Sequence, residues 1–196
     1  MPKERLTAFS DGVIAIIITI MVLEMKPPHH PDLASLAALA PVFFSYVLSF
    51  VYLAIYWNNH HHLLMMADRV DGAILWANMH LLFWLSLVPF CTGWMGENRF
   101  ASLTVTVYGF NLLMAGVAYY IVQIAIIHHH GRDGALAKAL GDDVKGKLSP
   151  LAYVVAIIAS FFSSAAALAV FALVALVWLI PDRRIERAIA NSKISG

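Results

Sequence analysis

The opening stretch of this chain, Arg5-Leu6-Thr7-Ala8-Phe9-Ser10-Asp11-Gly12-Val13-Ile14 and on through Leu23, is apolar with one acid set inside it. At a rise of about 1.5 Å per residue, a helix over residues 6–25 is about 30 Å long, one bilayer core. Starting the helix at Gly12 would leave it too short, which puts Ser10 and Asp11 inside it. The other reading makes one of them an N-cap. Of twelve Asp and Glu residues, Asp11 alone lies well within an apolar segment. An ionisable group near lipid is costly, so such a residue marks a site of function or assembly. Pro27, Pro28 and Pro31 end the helix and begin a loop.

The rest of the chain has the same character. Charged residues make up 13% of it and hydrophobic ones 61%, whereas a soluble domain carries about 25% charged residues. An all-α integral membrane protein is therefore expected, with residues 1–196 forming a single transmembrane domain. Further helices are predicted over residues 36–66, 72–94 and 102–127, and residues 131–148 read as a polar loop with room for a short interfacial helix. The last apolar run, residues 151–180, is too long for one upright span and short for two. Charge decides between them. Lys138, Lys145 and Lys147 precede the run, and Arg183, Arg184 and Arg187 follow it. By the positive-inside rule both flanks are cytoplasmic, so the chain must cross and return. Spans over residues 149–163 and 165–180 result, with the turn near Ser163 and Ser164. Six transmembrane helices with both termini cytoplasmic are expected, and only Lys26 and Arg99 of the basic residues considered fall outside. Ala152, Ala156, Ser160 and Ser164 recur at helical spacing, where small residues let helices approach closely. Lys3 and Arg5 resemble the start of a signal peptide, but no small-residue cleavage site follows Leu23. The single cysteine, Cys91, excludes an intrachain disulfide and any cysteine-based zinc site.

Helical periodicity divides the first segment. Ile16, Ile20, Leu23, Thr19, Gly12 and Phe9 fall on one stripe, while Asp11 lies on roughly the opposite side. Periodicity alone favours lipid or packing contact for the stripe, since a water-lined path would show more polar residues. Asp11 needs a partner, and Asn58, His60, His61, Asn78 and His80 fall at its depth on segments two and three. A buried polar network among them is expected. Adjacent histidines point about 100° apart on a helix, so His60-His61-His62 cannot chelate one ion from one face. No metal site is expected, and His128 to His130 suit a helix C-terminus. Thr106-Val107-Tyr108-Gly109 looks like a potassium filter loop, but it lacks the first glycine and opens an apolar helix. No phosphate loop, nucleophile elbow or zinc-protease motif is present.

At Arg5-x-x-x-Phe9-Ser10-Asp11 the sequence resembles the transmembrane protein 175 family, potassium channels of endolysosomes and their bacterial relatives. Trp57-x-x-His60-His61, Asn78 through Pro89-Phe90-x-Thr92, Leu23-Glu24-Met25-Lys26-Pro27 and Pro181-Asp182-Arg183-Arg184 extend the likeness over nearly the whole chain. The resemblance implies that the first helices of the assembled subunits surround a pore. By position from the motif, the tightest ring falls on Ile16, further apolar rings on Ile20 and Leu23, and the threonine tied to potassium preference on Thr19. Arg5, Phe9, Ser10 and Asp11 would then pack against helices two and three, with Trp57, His60, His61 and Asn78. A single repeat implies a homotetramer.

The expected function is a potassium-selective cation channel of a bacterial cell inner membrane, constricted by aliphatic rings. Its partners are the lipid bilayer, potassium as permeant ion and further copies of itself. No enzyme activity, cofactor or nucleic-acid partner is expected. The rival reading is a proton- or metal-coupled transporter using Asp11 and the histidines as a relay. A third is a membrane enzyme with a histidine metal site.

Overall fold

A computed structural model describes residues 2–67, 69–130 and 144–179 of the protein. Every regular element among them is helical: α1 (Lys3–Leu23), α2 (Leu33–Ala38), α3 (Ala40–Met65), α4 (Gly72–Ser86), α5 (Val88–Glu97), α6 (Ser102–His130), α7 (Val144–Ser160) and α8 (Ser164–Leu179). Four segments are long and apolar enough to cross a bilayer: Lys3–Leu23, Ala40–Met65, Gly72–Glu97 and Ser102–His128. Ser164–Leu179 is a shorter apolar helix.

Helix α1 begins well before Gly12, so Asp11 lies inside it and is not its cap. The two continuous helices expected next are each broken, and proline explains both breaks. Residues 36–66 divide into α2 and α3 at Leu39, with Pro41 in the first turn of α3. Asp32 caps α2 by accepting from the Ser35 N–H at 2.7 Å, a bond that also lowers the pKa of its carboxyl. Residues 72–94 divide into α4 and α5 at Leu87, and α5 runs on to Glu97. Pro89 has no N–H to give the carbonyl four residues back, so the chain bends there. Asp71 caps α4 through the Ile74 N–H at 2.8 Å.

Helix α6 runs three residues past the expected span of 102–127 and takes in His128 to His130 at its C-terminal end. Helix α7 starts at Val144, so residues 144–148 are helical rather than loop, and residues 131–143 lie outside the described residues. The turn in the last apolar run falls at residues 161–163, slightly before the expected Ser163 and Ser164, and Ser164 already belongs to the return helix. Ser163 starts the return helix, its Oγ accepting from the Ala166 N–H at 3.3 Å. The closing Pro181-Asp182-Arg183-Arg184 lies outside the described residues.

Helix α6 packs against α4, α5, α7 and α8, while α1 lies against α3, α4 and α5. Small residues set the closest approaches. Ala156 and Ser160 of α7 are buried, and Ser160 ties α7 to α6. Its carbonyl accepts from Ser102 Oγ and its hydroxyl meets Thr106 Oγ1, both at 2.6 Å. Gly96 brings α5 onto α3, since a Cβ there would stand 2.7 Å from the Val42 Cα.

Candidate functional site

Helix α1 has two unlike faces. Leu6, Ser10, Ile14, Ile17 and Met21 are buried against the neighbouring helices. The stripe of Phe9, Gly12, Ile16, Thr19, Ile20 and Leu23 is exposed on the subunit, Ile16 at 59% and Leu23 at 77%. Side chains three and four positions apart share a face, which is why periodicity anticipates the division. Thr19 carries the stripe's one side-chain hydroxyl, donating to the Ile16 carbonyl at 2.8 Å. A hydroxyl that donates keeps its oxygen lone pairs for accepting. Ile16 and Ile20 border an open groove of about 620 Å³, walled opposite by Val42, Tyr46, Phe90 and Trp94.

The polar groups of α1 divide in the same way. Ser10 points into the subunit and meets Asn78 of α4 and His60 of α3 in one chain of hydrogen bonds. Its hydroxyl donates to the Leu6 carbonyl at 2.9 Å and accepts from Asn78 Nδ2 at 3.0 Å. Asn78 Oδ1 lies 2.6 Å from His60 Nε2. An amide oxygen can only accept, so His60 is protonated at Nε2, and its Nδ1 is left without a partner. All three residues are fully buried.

Asp11 does not join that chain. Its carboxylate accepts from the Trp57 indole N–H at 2.9 Å, and it is half-buried. None of Asn58, His60, His61, Asn78 and His80, the partners expected from depth, takes that place. One residue on from Ser10, the helix has turned about 100° to the edge of its packed face. Only a long side chain from the rim of α3 reaches there, and Trp57 is 46% exposed. His61 stacks on Trp57 with ring centroids 6.2 Å apart. His80 accepts from the Trp84 N–H within its own helix at 2.9 Å. Arg5 and Phe9 are exposed on the subunit. Among the described residues, no three His, Cys, Asp or Glu side chains converge on a point where a metal ion could sit.

A second buried polar group has no counterpart in the sequence reading. The Thr92 hydroxyl of α5 stands 2.6 Å from Ser49 Oγ, which meets the Tyr108 hydroxyl of α6 at 3.1 Å. The signal was there: Ser45, Ser49, Tyr52, Tyr56 and Asn59 follow one another at helical spacing on α3, and all are buried. The filter-like Thr106-Val107-Tyr108-Gly109 lies inside α6 and serves packing. A Cβ at Gly109 would come 2.7 Å from the Phe171 ring.

A helical bundle with four bilayer-length apolar segments among the described residues defines a polytopic membrane protein. The family model described as endosomal/lysosomal potassium channel TMEM175 matches residues 5–89. A potassium channel of Chryseobacterium sp. is 50% identical over 192 residues, covering 98% of this chain and 100% of that one. A potassium channel of Streptomyces collinus is 30% identical over 187 residues, covering 88% of this chain and 89% of that one. The crystal structure of a lysosomal potassium-selective channel TMEM175 homolog from Chamaesiphon minutus matches with a TM-score of 0.81 at 28% identity, over 92% of this chain and 97% of that one. The chain belongs to the TMEM175 potassium-channel family, a family of ion channels and not of enzymes.

Proposed function

We propose that the protein is a potassium-selective channel of a bacterial inner membrane, built as a homotetramer of six-helix subunits spanning residues 1–196 with both termini cytoplasmic. The first helices surround a central pore, with Ile16, Ile20 and Leu23 as successive apolar rings and Thr19 as the hydroxyl ring between them. One observation carries this reading: α1 divides into a face packed against its neighbours and an exposed apolar face, and the exposed face holds the positions that the family resemblance assigns to the pore. The names of the bacterial relatives support potassium as the ion.

An isoleucine ring has no group to replace an ion's water. A potassium ion crossing it keeps its hydration shell or loses stabilisation, so the ring is the barrier. Thr19 hydroxyls can stand in for part of that shell. A proton relay would need Asp11 and the histidines in sequence, but Asp11 is bonded to Trp57 and His60 to Asn78, which favours the channel.

The test is flux through the purified protein in liposomes. Potassium is expected to pass down its gradient without a coupled ion, faster than sodium. Ile16→Ala is expected to raise flux tenfold or more, since about 1.4 kcal/mol off the barrier suffices. Thr19→Val keeps the shape and is expected to lower the potassium-to-sodium ratio with the oligomer intact. A parent protein that passes no potassium under any gradient would overturn the reading, and so would an oligomer smaller or larger than four by light scattering.

A further inference from the structure

Between α3, α6, α7 and α8 the subunit holds a cavity of about 50 Å³, lined by no residue of α1. Its walls are aromatic. Tyr56 meets Tyr119 edge to face at a centroid distance of 6.1 Å, Tyr52 and Tyr153 stand 6.3 Å apart, and Trp178 lies at one side. Space is left because Gly116 contributes no side chain. A Cβ there would touch the Tyr153 ring at 3.7 Å and the Tyr56 hydroxyl at 3.8 Å.

Most polar groups around the cavity already have partners. The Tyr52 hydroxyl donates to the Phe171 carbonyl at 2.7 Å, and that of Tyr119 to the Asn59 carbonyl at 3.2 Å. The Asn59 amide donates to the Ile55 carbonyl. Ser149 is engaged twice, donating to the Lys145 carbonyl and accepting from Trp178 Nε1. Two groups differ. Gln123 lines the cavity at 5% exposure and Tyr56 at 8%, and neither side chain makes a hydrogen bond among the described residues. With the rest of each side chain buried, only the cavity is left to satisfy these polar atoms, and a hydrogen-bonding occupant would do so.

The chemistry limits that occupant. No carboxylate, ammonium or guanidinium group is among the described residues of the lining, so a charged guest would lose its water without compensation. A purely apolar guest would leave the Gln123 amide unpaired. One water needs about 10–15 Å³ of such space, so the cavity takes about three to five heavy atoms. We propose that this cavity is a binding site for a small uncharged amphiphile: a compact apolar body against the tyrosine rings, carrying one hydroxyl or amide group for Gln123 and Tyr56. Tyr120, 53% exposed, marks the mouth. A guest there bridges α3 to α6 where α7 closes over both.

The probe is 1-propanol, followed by saturation-transfer NMR on the full-length protein in lipid nanodiscs, beside Gln123→Leu and Gly116→Leu. The parent is expected to show saturable transfer with a dissociation constant on the order of millimolar. Gln123→Leu should weaken it at least tenfold, and Gly116→Leu should abolish it by filling the space. If Gly116→Leu does not fold, Gly116→Ala replaces it; its Cβ falls at ordinary contact distance, and a several-fold loss is expected. Transfer that never saturates, or that is equal in parent and variants, means partition into lipid or a cavity holding water only, and overturns the site. Ion flux plays no part in this test, so its failure leaves the channel reading standing.

Discussion

The two faces of α1 differ in kind. The inward face carries the polar chemistry: Ser10 hydrogen-bonds Asn78, which meets His60, all buried within one subunit. The open face is almost wholly aliphatic, with Ile16 and Leu23 the most exposed of its large side chains. In lipid, apolar burial drives no association between helices, so hydrogen bonds and close packing hold the subunit together. Polar residues are therefore needed inside, and they are not evidence of a path. The outward face is free to be shaped for something else.

Substitutions in the packed interior and on the open face of α1 should separate their roles. The largest effect is expected at the packed α5–α3 contact. Gly96→Val would push a Cβ to within 2.7 Å of backbone at Val42, which cannot yield as a side chain can. A loss of about 3 kcal/mol or more is expected, read as failure to recover folded protein from detergent. Next comes the pair Ile17→Ala and Ile16→Ala. Ile17 is 3% exposed and Ile16 59%, so the first should cost about 2–4 kcal/mol in unfolding titrations and the second under about 0.5. Equal losses would erase the distinction between the faces.

A smaller effect is expected at Asn78→Leu, which leaves both Ser10 and His60 without their partner. About 2 kcal/mol is expected, more than the ~0.6 typical of one transmembrane hydrogen bond because two buried groups are stranded together. The smallest belongs to Asp11. A fully buried charge stripped of its partner would cost about 3–5 kcal/mol, but Asp11 is half-buried and meets one indole N–H. Asp11→Ala should cost about 1 kcal/mol, and Asp11→Asn, which keeps an acceptor for Trp57, less still. A loss above about 3 kcal/mol for Asp11→Ala would mean that assembly buries it further.

Much of this was legible in the sequence. The length of each apolar run indicates a membrane chain, because one bilayer sets one helix length. The 3.6-residue period sorted Ile16 from Ile17, since neighbours on a helix point about 100° apart whatever surrounds them. Charge on both flanks called for a turn within the last apolar run, and the chain turns at residues 161–163. Partners were another matter. That Asn78 serves Ser10 while Trp57 serves Asp11 depends on how three helices cross, since one residue along a helix turns a side chain about 100°. The bends at Leu87 and Leu39 needed the neighbouring packing to show that a proline ends one helix and starts another. The Ser49–Thr92–Tyr108 group and the tyrosine cavity join residues from separate helices, far apart in the chain. Local periodicity determines which face of a helix is apolar; only the tertiary structure decides what each face meets, because that depends on distances between segments the chain does not order in sequence.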